Sequence, residues 1–157
     1  MGAEARLAEL GIELPEPSPA FGSYVGWKRH GDLVYVSGHG PFKSDGMVTG
    51  KVDSDVSVED AAEAARYTGL LILAALRAEL GSLDRVSSIV KIFGMVNCSP
   101  GFNNTPAVIN GCSDLLVEVF GKDIGSHARS AVGMAELPFD IPVEIELIAA
   151  VEPTTTL

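Results

Sequence analysis

Cysteine is scarce: Cys98 and Cys112 are the only two in 157 residues, too few for a disulfide framework, and both read as structural thiols. Basic residues are few as well. Eleven Lys and Arg stand against 21 Asp and Glu, a formal charge of −10 at pH 7, which repels phosphate backbones and anionic membrane surfaces and disfavours nucleic acid as a partner. No stretch approaches the roughly 20 uninterrupted apolar residues of a membrane span, so no membrane partner is expected. The start, Met1-Gly2-Ala3-Glu4-Ala5-Arg6, lacks the basic region, apolar run and cleavage site of a secretory signal, and a cytoplasmic location is the expectation. Arg6 also stands where a myristoylation motif requires Ser or Thr. His30, His39 and His127 with the two cysteines form neither Cys-x-x-Cys nor a helical His pair, so no metal ligand set is read. A Gly-x-Ser-x-Gly elbow is missing too, and Gly22, Gly26 and Gly38-His39-Gly40 lack the spacing and the Lys-Ser/Thr end of a phosphate loop.

What is present is a core-forming chain, 46% apolar and of a length that suits one domain. Residues 1–19 read as an N-terminal arm, with a short helix over Ala3 to Leu10 closed by Gly11 and a proline-punctuated stretch through Pro15, Pro17 and Pro19. Residues 20–157 read as the domain. Tyr24 to Lys28 and Leu33 to Ser37 flank the turn signal His30-Gly31-Asp32 and predict a hairpin. Ser57, with acidic Glu59 and Asp60 after it, opens the clearest helix of the chain; apolar and small residues then recur at helical spacing until Gly81. Leu83 to Val96 predicts a central strand. Thr105-Pro106 starts a second helix that ends before Gly121. Ala128 to Glu136 and Val143 to Ile148 predict two closing strands, joined through Leu137 to Pro142.

The order β-β-α-β-α-β-β fits an α+β domain, a mixed sheet of about five or six strands with two helices packed on one face. With so apolar a chain and only two good helices, the other face is expected to be covered by the same face of neighbouring subunits.

The residues with chemical content lie in the last thirty. Arg129 opens an apolar strand, where a guanidinium requires a carboxylate partner or a water-filled cleft. Glu144 is expected on the adjacent strand. The plain structural reading pairs these two with each other, or with other acidic residues of the chain.

His127-Ala128-Arg129-Ser130, then Leu137-Pro138, then Val143-Glu144-Ile145-Glu146 resemble the C-terminal signature of the Rid (YjgF-like) family: Ala-Arg-Ser, Leu-Pro and a strand close to Val-Glu-Ile-Glu. Gly22-Ser23-Tyr24-Val25, Val36-Ser37-Gly38 and Val108-Ile109-Asn110 are similar, in order, to the family's Gly-Pro-Tyr, Ser-Gly and Val-Asn. The similarity runs from about Ala20 to Val151. The resemblance implies a chorismate-mutase-like homotrimer with a cleft at each subunit interface. There Arg129 would grip the carboxylate of a 2-imino or 2-amino-enoic acid and Glu144 would orient or activate the water that releases ammonia and leaves a 2-keto acid. It implies further that Tyr24 lines the pocket and that backbone near Ser37 and Gly38 contacts the ligand, with His39, Asn110 and Ala131 completing the binding set. No metal or organic cofactor is implied. His39, His127 and Ala131 stand where the family often has Gln, Pro and Cys, which marks a divergent subgroup with a recast pocket. Two other readings stay open: a non-catalytic trimer that binds or senses a small keto acid, and an endoribonuclease, the latter disfavoured by the charge and by the absence of clustered Lys and Arg.

Overall fold

A computed structural model describes residues 2–153. Met1 and residues 154–157, the outermost ends of the expected arm and domain, lie outside the described residues. The elements in chain order are α1 (Ala3–Leu10), β1 (Trp27–His30), β2 (Leu33–His39), α2 (Val58–Leu80), β3 (Val86–Asn97), α3 (Thr105–Gly125), β4 (Ala128–Met134) and β5 (Val143–Val151), with 3-10 turns at Leu83–Arg85 and Pro138–Asp140.

The α+β class and the β-β-α-β-α-β-β order are as expected, preceded by the short helix α1 expected over the same residues, Ala3–Leu10. One five-stranded sheet runs β1-β2-β5-β3-β4. All neighbours are antiparallel except β3 and β4, which are parallel. The last strand therefore enters the middle of the sheet and β4 is left at the edge. This corrects the expectation that Glu144 and Arg129 sit on adjacent strands, because β3 lies between them.

Local signals explain most element ends. The Ser57 hydroxyl accepts the Asp60 N–H at 3.0 Å, and Gly81 takes a left-handed conformation at φ 77° to close α2. The stop expected before Gly121 appears as a break within α3: Gly121 has φ 74°, and the chain then resumes to Gly125. The hairpin is shorter than expected, since β1 begins only at Trp27. The Val25 carbonyl is taken by the Ser37 hydroxyl at 2.6 Å and the Gly26 carbonyl by the Ser37 N–H at 2.9 Å, so Tyr24 is free to leave the ladder.

The α1 helix is too short to persist alone in water. Leu7, 2% exposed, and Ala3 join the main core, and full burial of a leucine side chain contributes about 2 kcal/mol. Glu4 adds a fork to Arg77, at 2.6 and 3.1 Å, and accepts the Leu83 N–H at 2.9 Å.

In β5 the residues Val143, Ile145, Leu147, Ala149 and Val151 are buried and alternate with less buried neighbours, so one sheet face carries the helices. Small residues let α2 and α3 come close there. A Cβ added at Gly111 of α3 would collide with the Ala62 carbonyl oxygen and lie 2.8 Å from its carbon and 3.1 Å from the Arg66 nitrogen. These are backbone atoms that cannot swing aside. Gly111→Ala is therefore expected to lower stability by about 3 kcal/mol, which thermal melting at fixed protein concentration would register as a drop of roughly 6–12 °C. An unchanged melting temperature would mean that the helices are not in backbone contact at this point. Among the described residues the other sheet face carries no helix and presents Tyr35 and Val132 exposed, with Phe93, Met95 and Ile148 partly so.

Candidate functional site

Two groups of residues gather at separate places. The first surrounds a cavity of about 250 Å³ lined by Tyr24, Ser37, Gly38, His39 and Glu144 together with apolar side chains. A register shift in β2 between Val36 and His39 turns the Gly38 backbone against the Glu144 carboxylate, where a Cβ would overlap Oε1. Only glycine permits that approach. Burial pushes the Glu144 carboxyl above its usual range, and the neighbouring charge of Glu146 adds to the rise.

His39 is 5% exposed, and its Nδ1 donates to the Ser37 carbonyl at 2.7 Å. Burial lowers its pKa, with that carbonyl opposing, so the imidazole here is a neutral wall of the cavity. The Ser37 hydroxyl hydrogen is spent on Val25, and Ser37 therefore serves by fixing the segment that carries Tyr24. The Tyr24 oxygen accepts the Phe21 N–H at 3.3 Å, which leaves its own hydrogen to donate to a ligand.

Arg129 anchors the second group. It lies opposite Ile92 of β3 and points to the helix side, where Nη1 donates to Asn110 Oδ1 at 2.7 Å and to Ser113 Oγ at 3.1 Å. Among the described residues no carboxylate lies within 4.0 Å of it, and Nε and Nη2 have no partner. The ion pair that a plain reading of the sequence proposes is thus absent within the described chain. Ala131, two residues on and facing the same way, gives its carbonyl to Thr105 Oγ1 at 3.0 Å. His127 stands behind Ser113: its Nδ1 donates to the Gly125 carbonyl at 2.7 Å, and in the neutral ring Nε2 then accepts from the Ser113 hydroxyl at 3.0 Å. Cys112 is nearby but buried, and burial pushes its thiol up to about 12 against the opposing pull of Arg129. It is an inert core thiol.

The sequence-predicted residues therefore divide into Tyr24, Ser37, Gly38, His39 and Glu144 on one side and Asn110, Arg129 and Ala131 on the other. Arg129 registers with Ile92 and Leu147, whereas Glu144 registers with Met95 and Val132. Two strand spacings across and three residues along place their Cα atoms roughly 14 Å apart, on opposite faces of the sheet.

Sequence reasoning missed Ser113 and the rings of Phe21, Phe42 and Phe139. Ser113 was detectable as the residue one helical turn after Asn110. The three phenylalanines come from distant loops with no common spacing.

A model of the family described as "YjgF/chorismate mutase-like, putative endoribonuclease" matches residues 4–150. Protein TCP17 of Trypanosoma cruzi is 41% identical over 146 residues, covering 92% of this chain and 91% of its own. A 2-iminobutanoate/2-iminopropanoate deaminase of Dermatophagoides farinae is 29% identical over 143 residues, covering 90% and 95% of the two chains. The crystal structure of Atu1372 from Agrobacterium tumefaciens, a protein of unknown function, is 42% identical and superposes with a TM-score of 0.86 over 96% of this chain and 92% of that one.

Proposed function

Because the chain belongs to the YjgF/chorismate mutase-like family, we propose that it hydrolyses reactive 2-imino acids to 2-keto acids and ammonia, in clefts that two subunits of a homotrimer build together. The observation that carries this reading is the division of the site. One half offers a guanidinium with unspent donors and no carboxylate partner among the described residues, and the other offers a cavity with a carboxylate that has no cation partner among them. Neither half is complete in one chain, and a neighbouring subunit would supply what the other lacks. The sheet face without helices, with Tyr35 and Val132 exposed, is the surface such neighbours would cover.

In this mechanism the Nε and Nη2 edge of Arg129 grips the substrate carboxylate from one subunit. The imine carbon then lies over the cavity of the next. Ionised Glu144 takes a proton from water as the oxygen bonds to the imine carbon and the C=N electrons move to nitrogen. Glu144 returns that proton to nitrogen to give the carbinolamine, then takes the hydroxyl proton and passes it to the amine, so that the C–N bond breaks, ammonia leaves and the hydroxyl oxygen becomes the keto oxygen. An imine reacts with water unaided, so positioning and one proton relay suffice without a cofactor. The charge of −10 favours this small acid over RNA as the substrate, since the chain as a whole repels a phosphate backbone.

Assay and hydrodynamics test the proposal together. Freshly generated 2-iminopropanoate and 2-iminobutanoate should release ammonia faster with the protein than without it. Sedimentation should give three times the subunit mass of 16.4 kDa. A trimer that accelerates neither imine would sink the deaminase assignment, and a monomer with full activity would sink the shared cleft.

A further inference from the structure

The Glu144 cavity has an apolar half that small substrates do not use. Phe21, Phe42 and Phe139, from three separate loops, meet with ring centroids 5.1, 5.7 and 5.8 Å apart and tilted or edge-on planes, the arrangement in which aromatic rings attract one another. They line the same cavity as Glu144 and Gly38. Yet Phe21 is 56% and Phe139 61% exposed, so the cluster leaves ring surface facing the opening. A closed cavity of about 150 Å³ with apolar walls is enough to take up benzene, and this one measures about 250 Å³.

The backbone that presents Phe139 is held in an unfavourable state. Phe139 has φ 58° and Asp140 φ 56°, a left-handed pair that costs a side-chain-bearing residue conformational energy. Fixed contacts impose it. Asn97, fully buried, donates through Nδ2 to Asp140 Oδ1 at 3.0 Å, while its own Oδ1 accepts from Lys51 Nζ at 2.8 Å. The Gly50 N–H donates to the Asp140 carbonyl at 2.8 Å. A network centred on buried Asn97 thus constrains a strained turn whose ring lines the cavity, the pattern expected where strain serves a site rather than the core.

We propose that Phe139, with Phe21 and Phe42, is a specificity-determining wall that selects 2-imino acids bearing an aryl side chain over those with one- or two-carbon side chains. The assignment rests on the imine-hydrolase reading for the identity of the charged end. The aryl ring lies edge-on among the phenylalanines, and the imine carbon lies toward Glu144.

Product acids serve as stable probes. In calorimetry on the full-length protein, phenylpyruvate should bind at least about tenfold more tightly than pyruvate, because one ring leaves water. In Phe139→Ala that ratio should fall to within about threefold. Phe139→Gly, which removes the ring and also suits a positive φ, should lose the preference equally while melting above the alanine variant, so the reading survives if alanine folds poorly. Equal binding of the two acids by the parent overturns the aryl wall and leaves the hydrolase reading standing. A preference retained in both variants overturns it as well, as does sedimentation showing that either variant dissociates the trimer, which would make the cluster an interface patch. Failure of both acids to bind, with no acceleration of either small imine, removes the wall together with the function it serves.

Discussion

Replacing Arg129 with alanine should weaken binding of pyruvate tenfold to more than a hundredfold and leave the oligomer intact. A charge-assisted bidentate contact is worth roughly 1.5–3 kcal/mol, and in the proposed shared cleft the loss in turnover should exceed the loss in affinity, because the imine would no longer be held over the neighbouring subunit's cavity. The fold tolerates the change. The groups that contact the guanidinium are the neutral side chains of Asn110 and Ser113, Asn110 is exposed, and no buried carboxylate is stranded. Arg129→Lys should also be impaired, since an ammonium cannot present two coplanar donors. Sedimentation and ligand titration on the same variants decide between an anchor and an assembly residue. Dissociated subunits, or parental affinity for carboxylic acids, would end the assignment of Arg129 as the anchor.

Glu144→Gln should retain pyruvate binding and lose turnover by a hundredfold or more, the range of one general acid–base group. The pH dependence has a defined sign. Burial, with Glu146 second, raises the Glu144 pKa, and the base acts only when ionised, so activity should climb with pH along a limb above the ordinary carboxylate range. The glutamine variant should lose that limb. The same shift enters stability with the opposite sense. A carboxyl whose folded pKa is raised contributes stability that is present below its unfolded pKa and is lost as pH rises through the raised folded value. The parent should therefore lose melting temperature relative to Glu144→Gln across that window. Full turnover in the variant would transfer the water-activating role elsewhere. Tight binding in a parent that shows no turnover, unaffected by the substitution, would favour a keto acid sensor.

The reach of the sequence is clearest in α2 and in Arg129. Ser57, the acidic first turn, the small and apolar stripe and Gly81 each act on neighbours within a turn or two, so the helix from Val58 to Leu80 was legible from end to end. The alternation of Val143, Ile145 and Leu147 likewise announced a strand with one buried face. Arg129 stood out because a guanidinium on an apolar strand needs a carboxylate partner or a water-filled cleft, whatever the fold. The α1 helix was legible as a helix, whereas its seating through Leu7 and Glu4 depends on Arg77 and Leu83, which lie far along the chain.

Alternation says which face a residue takes and nothing about which strand lies beside it. Only the tertiary structure placed β5 between β2 and β3 and so moved Glu144 away from Arg129, toward Gly38 and the cavity. The Phe139 turn was illegible for a related reason. Nothing in Leu137-Pro138-Phe139-Asp140 requires a positive φ at phenylalanine; the requirement comes from Asn97 and Gly50, more than forty residues away. Short-range propensities fixed the elements and the chemistry each residue carries, and hydrogen bonds between distant segments decided which of those residues meet.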